Sequence, residues 1–416
     1  MPQTFPLPYL LVAALCLAGL VTAGAVVAAE PPATAPAPAV DDSLGDTVTV
    51  TNTTNYVFPA GDGPSRQSYV RSDVDVAGAV ATDVERLQGQ HEVLRFEHRY
   101  DARNESEGRL VAVDETIDRT EARLDALNAR QETLFSAYTD GSLSTDAFLR
   151  RLSRLDTAAS ESRNVLQRVR SRVRADLDTR LPVSTETRLA ALRADLVAIP
   201  GRISTQVTAT VRGEADPTTL YLQGTGNGLV LATVDETEYR RQATLRDEYT
   251  PDAPNQFALA EEEPISLAFD RARELYPWVS ENLQSINRIA GFGDSDVYLI
   301  DLSHPHGDLR SYIHGGSTNV FHEEHRQNPD SLPVRLTASA ENGSLGVSVA
   351  ATAETGPMRV TVTSATTDVP TDAVVRVNGQ PVGSTGGDGE LWTIRPTGSF
   401  TVNATSGDGT SVVVSP

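Results

Sequence analysis

The sequence predicts a multi-domain α+β protein: an antiparallel helical (coiled-coil) hairpin region, a small α+β module and a C-terminal all-β sandwich. Three observations predict it. Apolar residues recur at alternating spacings of three and four between residues 74 and 199. Between 203 and 330 short runs with a period of two surround one amphipathic helix, and from 333 to 416 only the period of two remains, cut by Gly, Asn and Asp turns. A chain of 416 residues is long enough for two or three such domains.

The first element is an uncharged run from Leu7 to Ala29. At ~1.5 Å per residue it is long enough to cross a hydrocarbon core of ~30 Å. Val27, Ala28 and Ala29 place small residues where a signal peptidase cleaves, and Glu30-Pro31-Pro32 ends any helix at once. Residues 1–29 therefore read as a signal peptide or an N-terminal membrane anchor, although Met1-Pro2-Gln3-Thr4-Phe5 supplies no basic side chain. Membrane contact is expected only through this segment, if it is uncleaved. Residues 30–72 form a Pro/Ala/Thr-rich linker followed by a Thr-, Asn- and Gly-rich stretch, expected to be poorly ordered or to dock as an edge strand.

Residues 73–200 form the helical region. Val80, Val84, Leu87 and Leu94 open a seam that Leu110, Val113, Ile117, Leu124, Leu127, Leu134 and Tyr138 continue, with Thr120 and Gln131 filling two sites. The turn Thr139-Asp140-Gly141-Ser142-Leu143 and an N-cap at Ser144 lead into a second seam of Phe148, Leu152, Leu155, Ala159, Ser162, Leu166, Val169 and Val173. So short a connection makes the helices antiparallel. Folding about Gly141 sets Asp114 near Arg168 and Glu115 near Gln167, so Arg168, Arg170, Arg172 and Arg174 are expected to face the acidic stretch 105–118. A third helix carries Leu189, Leu192, Leu196 and Ile199 before Pro200-Gly201. The helical region also offers a surface for homo-oligomers.

In residues 203–330 the alternations Val207/Ala209/Val211, Leu220/Leu222 and Leu229/Leu231 predict strands, with Gly224 to Gly228 as a turn. A helix over Ile265 to Leu275 precedes strands near 297–302, 309–313 and 320–321. Residues 333–416 carry alternating runs at 336–340, 347–351, 358–362, 374–377, 392–394 and 412–414, with turns at Asn378-Gly379 and Asp388-Gly389, which fits an immunoglobulin-like or prealbumin-like sandwich.

Composition narrows the function classes. The net charge of -21 excludes a nucleic-acid partner on electrostatic grounds, since phosphate binding needs clustered cations. All 35 basic residues are Arg, with no Lys, against 56 Asp plus Glu. An acidic, Lys-free surface resembles the proteins of extremely halophilic archaea, where salt screens the self-repulsion. The sole cysteine, Cys16, sits in the leader, so no disulfide or thiolate chemistry is expected downstream. Asn52, Asn104, Asn342 and Asn403 are glycosylation acceptors by sequence. Nucleophile elbows, phosphate loops and dinucleotide fingerprints are absent from the sequence.

One chemical cluster stands out. Five of the seven His residues, His304, His306, His314, His322 and His325, fall within 22 positions beside Asp308, Glu323 and Glu324. His304 and His306 project from one face if they share a strand, and a hairpin bringing in His322 or His325 would complete a ligand set for Zn or another divalent metal. Against a metalloprotease, His322-Glu323-Glu324-His325 spaces its imidazoles by three rather than four. The alternative reading is polar residues of a strand hairpin.

Helix followed by a short antiparallel sheet in the 203–330 region resembles PepSY-type modules of exported peptidase propeptides, implying a binding or peptidase-inhibiting module. Val375 to Gly383 with Asp388-Gly389 resembles carboxypeptidase-regulatory-like modules, usually spacers or adhesion units. The whole, including Tyr138-Thr139-Asp140-Gly141-Ser142-Leu143 and His304-Pro305-His306-Gly307-Asp308-Leu309, is similar to an uncharacterised family of haloarchaeal exported proteins. The expectation is a non-enzymatic, extracellular or cell-surface protein without a required cofactor, meeting envelope or extracellular protein partners. The alternative is a metal-binding protein or metal-dependent hydrolase built on His304, His306, His322 and His325.

Overall fold

A computed structural model of the chain describes residues 47–59, 65–197, 199 and 201–416; the leader at 1–29 and the Pro/Ala/Thr stretch at 31–39 lie outside the described residues. Two short paired strands, β1 (Thr47–Val48) and β2 (Tyr56–Val57), precede β3 (Arg66–Ser72). Five helices follow: α1 (Val76–Asp101), α2 (Ser106–Thr139), α3 (Thr145–Arg174), α4 (Val183–Asp195) and α5 (Arg202–Val211). The middle of the chain adds β4 (Thr218–Gly224), β5 (Gly228–Val234), β6 (Tyr239–Leu245), α6 (Pro264–Leu275), α7 (Pro277–Glu281), β7 (Ser285–Gly291), β8 (Val297–His304), β9 (Gly307–His314) and β10 (Val320–Gln327). The protein is α+β with antiparallel sheets.

Two of the long helices, α1 and α3, start where short polar side chains cap them. Asp75 accepts from the Gly78 amide at 2.9 Å, and Ser144 caps α3 as its sequence position suggests. Between α2 and α3, Gly141 adopts φ +79°, a conformation that a side chain would strain. The seam residues expected on α2 and α3 are buried, apart from a half-buried Leu110.

The expected single hairpin is instead a three-helix arrangement, because the chain breaks at residues 102–105. Ion pairs fix its register. Glu92 with Arg119 and Glu85 with Arg123 run α1 against α2, whereas Glu97 with Arg168 and Asp101 with Arg172 run α1 alongside α3. Arg168 and Arg172 thus meet α1, not the 105–118 stretch; Glu115 pairs with Arg99 and Asp114 accepts from Thr185. The face of α1 also differs from expectation. Val80, Val84, Leu87 and Leu94 are exposed, and Gly78, Thr82, Glu85, Gly89, Phe96 and Tyr100 are buried instead.

A second correction concerns α5. Val207, Ala209 and Val211 alternate like a strand, yet Ile203, Val207 and Val211 are also one helical stripe, and that stripe is the buried one. What selects the helix is its seat on the sheet: the Arg202 amide donates to Glu324 Oε1 (2.9 Å) and the Ile203 amide to Gln242 Oε1 (3.2 Å). These side chains satisfy amides that a helix start leaves unpaired.

One eight-stranded sheet, in the order β3-β4-β5-β6-β10-β9-β8-β7, organises the middle of the molecule. Leu220, Leu222, Leu229 and Leu231 pack on the helices of one face, where Ala194 of α4 also meets Val297 and Leu299. Ala243, Ile300, Leu302, Leu309 and Ile313 pack on α6 and α7 on the other. The stretch before Ser72 therefore supplies an edge strand, one of the two expectations for it.

The C-terminal sandwich has eight strands: β11 (Arg335–Asn342), β12 (Leu345–Ala351), β13 (Pro357–Ser364), β14 (Ala373–Val377), β15 (Gln380–Ser384), β16 (Glu390–Ile394), β17 (Val402–Ser406) and β18 (Ser411–Val414). They form two four-stranded sheets, β11-β12-β13-β16 and β15-β14-β17-β18, around a Val-rich core. The outer edge of β3 is covered by this domain: the Tyr69 amide donates to Gln380 Oε1 at 2.7 Å, and Gln67 bonds the backbone of Thr397. That cover removes an open edge.

The closest helix contact gives a test. A Cβ built on Gly89 would lie 2.5 Å from Cβ of Glu161 on α3, so the two helices must move apart to accept it. Gly89→Ala is expected to destabilise the protein by about 1–3 kcal/mol by overpacking, against the ~1 kcal/mol that alanine adds in an open helix. Chemical denaturation measures it, and increased stability in the variant would contradict the packing.

Candidate functional site

The side chains of β10 alternate, and the alternation divides the histidine cluster. His322 and Glu324 face the helical layer; Glu323 and His325 face α6 and α7. His304 ends β8 on the α7 side, with its ring 5.5 Å from Trp278, and His306 at the hairpin tip stacks on the same indole at 4.7 Å. Gly307 closes that hairpin at φ +144°, where a Cβ would strike the Arg326 carbonyl. His314 packs against Tyr249 and Phe321 on the helical face.

The four residues expected to ligate a metal are therefore not assembled as a set. His322 lies across the sheet from His304 and His325, bonded to Thr244 (3.1 Å) and beside Glu324 (3.6 Å). Nε2 of His304 and Nδ1 of His325 have no hydrogen-bond partner among the described residues, and the carboxylate beside His325 Nε2, Glu323, is already bonded to Arg241, Tyr276 and Val57. Among the described residues no group of three or more His, Cys, Asp or Glu is arranged to hold a metal ion. Two imidazoles without a third ligand do not fit the donor set of a zinc centre. Burial, followed by the neighbouring His325 and His306, lowers the His304 imidazole to about 3, so it is neutral at physiological pH.

What the β10 cluster does build is a buried ionic node that sequence reading missed. Glu323, with no exposed surface, accepts from Arg241 Nη1 (2.8 Å), the Tyr276 hydroxyl (2.6 Å) and the Val57 amide (3.0 Å), and His325 Nε2 lies 2.7 Å away. Arg241, 1% exposed, also donates to the Val57 carbonyl (2.7 Å) and Thr355 Oγ1 (3.1 Å) and lies over the Tyr56 ring. Burial alone would push the Glu323 carboxyl up, but His325, Arg241 and Tyr276 together outweigh it and hold the group below its ordinary value. Burial, then Glu323, pushes the Tyr276 phenol far up, so it remains a donor. Glu324 behaves alike on the opposite face. Burial opposes its charge, but His322, the Arg202 amide and the Arg202 side chain overcome it and take the carboxyl to about 2.

A carboxylate this completely bonded has no lone pair to spare for a reacting proton, so the node is a fastener and not an acid–base centre. A family model described as a domain of unknown function, DUF7096, matches residues 4–216, just over half the sequence. The chain belongs to the DUF7096 family. In this DUF7096 protein a second model, a family of unknown function designated DUF7094, matches residues 220–333, and an archaeal fibronectin-III type-like domain matches 336–414. The last agrees with the eight-stranded sandwich. No curated protein matches the chain, and no solved structure does. The boundary between the first two matched segments falls at residues 217–219, where β4 begins, yet β3 of the DUF7096 segment pairs with β4, most of which belongs to the next, so the two segments complete one sheet.

Removing one partner of a buried ion pair costs about 3–5 kcal/mol, whereas replacing both with apolar groups can be nearly neutral. Glu323→Gln is thus expected to lower unfolding free energy by about that amount, and Glu323→Leu with Arg241→Met by clearly less than the two single changes summed. Additive losses in urea denaturation would refute the pairing. Acid sensitivity provides a second test. The Glu324 carboxyl sits near 2 in the fold against 4.5 when free, and His304 near 3 against 6.5, so the unfolded chain binds more protons in both windows. Stability should fall as pH drops from 6.5 toward 3, and again from 4.5 toward 2. His304→Phe should flatten the first decline in a melting-temperature series, and an unchanged slope would count against the buried neutral imidazole.

Proposed function

We propose that this protein is a non-enzymatic, exported component of the cell surface of a halophilic archaeon that works by self-association through α1. The observation that carries the reading is the outward face of that helix. Val80, Val84, Leu87 and Leu94 stand 60%, 45%, 61% and 64% exposed and, with His91 and His98, occupy successive a and d positions of a seven-residue repeat. The positions directly opposite, Thr82, Gly89 and Phe96, are those buried in the helical layer. In this reading α2 and α3 are the coiled-coil core on which α1 is displayed.

A second copy fits the stripe by charge. Parallel, in-register pairing points Asp83 of one copy toward Gln88 of the other and Gln90 toward Arg95, with no like charges opposed. Antiparallel pairing centred near Gln90 would set Asp83 against Glu97. Export is supported by the apolar leader with its small residues before Glu30, and a surface setting by the fibronectin-like terminal domain, a type of module suited to spacing and adhesion. No helix among the described residues is long and apolar enough to cross a membrane.

Analytical ultracentrifugation in concentrated KCl tests the association. The wild type should show a concentration-dependent dimer, which Leu87→Glu with Leu94→Glu abolishes without loss of the far-ultraviolet helix signal. A wild type that stays monomeric at the highest attainable concentration sinks the reading. Cell fractionation with N-terminal sequencing tests export, and recovery of uncleaved chain from cytosol would overturn that part.

A further inference from the structure

Four arginines gather at one end of the helical layer, and among the described residues no acid pairs with any of them. The run Arg168, Arg170, Arg172, Arg174 divides by helical position: Arg168 and Arg172 pair with Glu97 and Asp101 on α1, while Arg170 and Arg174 point elsewhere. Arg170 lines a cavity of about 270 Å3 together with Arg193 of α4, and Arg174 and Arg288 of β7 are close enough for their charges to act on Arg193. Among the described residues none of these four side chains makes a hydrogen bond or ion pair. Glu186 borders the cavity without pairing to any of them. Leu166, Leu181, Val183 and Leu189 supply the apolar part of the wall, and Thr187 adds a hydroxyl-bearing residue.

Positions near helix C-termini account for single cations, since α3 and α4 both end here. They do not account for convergence. In a chain of net charge -21, two guanidinium groups line one cavity with two more within reach of their charge, and its one described acid, Glu186, pairs with none of them.

We propose that the cavity between α3 and α4 binds an oxyanion, phosphate or carboxylate, carried on a small apolar body. The guanidinium forks of Arg170 and Arg193 take the oxyanion, a bidentate geometry that suits them better than an ammonium would. Arg174 and Arg288, more exposed, add attraction at the mouth. Leu166, Leu181 and Leu189 take the apolar part.

The test uses the full chain in KCl at fixed ionic strength, with melting temperature and calorimetry read against phenyl phosphate, hexanoate and inorganic phosphate. Phenyl phosphate or hexanoate should raise the melting temperature saturably and bind more tightly than inorganic phosphate. Arg193→Gln and Arg170→Gln should each weaken half-saturation by about tenfold or more, as expected for loss of a charge-assisted contact, while Arg168→Gln, on the α1 side, should not. Without added organic anion, Arg193→Gln should melt no lower than the wild type, because it relieves repulsion; a merely structural arginine would give the reverse. The proposal fails if neither organic anion produces a saturable response, if inorganic phosphate binds as tightly as both, or if Arg193→Gln and Arg170→Gln respond like the wild type.

Discussion

The Arg241–Glu323 pair is the constraint on which the arrangement of this protein depends. Val57 belongs to the first matched segment, Arg241, Tyr276 and Glu323 to the second, and Thr355 to the third, and all meet in one buried network. Taking two charges out of water costs several kcal/mol per ion, and the pair recovers this only because the remaining donors and acceptors are also satisfied. Apolar residues of equal volume would hold the segments together about as strongly. They would not fix their relative position, since apolar contacts are non-directional whereas each of these hydrogen bonds demands one geometry. The pair's contribution is therefore placement of β2, β6, β10, the α6–α7 junction and the β12–β13 turn of the sandwich domain.

Two adjacent glutamates on β10 serve different layers. Glu323 fastens α7's start and β2 on one face; Glu324 receives the first amide of α5 on the other. The period of two in a strand makes this division unavoidable, and it explains why a dense run of His and Glu on one strand does not form a single site. Chemistry that needs three convergent ligands cannot be read from proximity in sequence when the residues sit on a strand with helices on both sides.

Legibility in the sequence followed how each contact is made. The α2 and α3 seams were readable because they bury large apolar residues at helical spacing, and the sandwich because its strands alternate between turns with Gly and Asn. On α1 the pattern pointed to the wrong face. Its inner surface is made close-packed by Gly78 and Gly89 and by the ion pairs of Glu85, none of which registers as hydrophobic, while the visible apolar stripe faces outward. On α5 the triplet Val207, Ala209, Val211 satisfied the strand period, and only the caps from Glu324 and Gln242, more than 30 positions away, decide the matter. The node itself joins residues separated by 82 positions, and with 56 carboxylates in the chain no local signal could single out Glu323.

Charge placement follows the same logic as packing. Along α1, α2 and α3 a series of acids meets arginines: Glu85 with Arg123 and Arg154, Glu92 with Arg119, Glu97 with Arg168, Asp101 with Arg172. The exposed pairs among these, Glu97 with Arg168 and Asp101 with Arg172, contribute only roughly a few tenths of a kcal/mol each, and less in concentrated salt. The value of the whole series lies in register, because a shift of α1 by one turn would set the uncharged pairs Gly89 and Phe96, or Ala81 and Gln88, where Glu85 and Glu92 meet their arginines. Arginine without lysine suits this use, since a planar fork fixes an angle where an ammonium fixes only a distance. Arg170 and Arg193 differ from these pairs: they spend the same directional group on a cavity in which, among the described residues, no acid pairs with them. At the α3–α4 end these two forks stay open toward the cavity that they line.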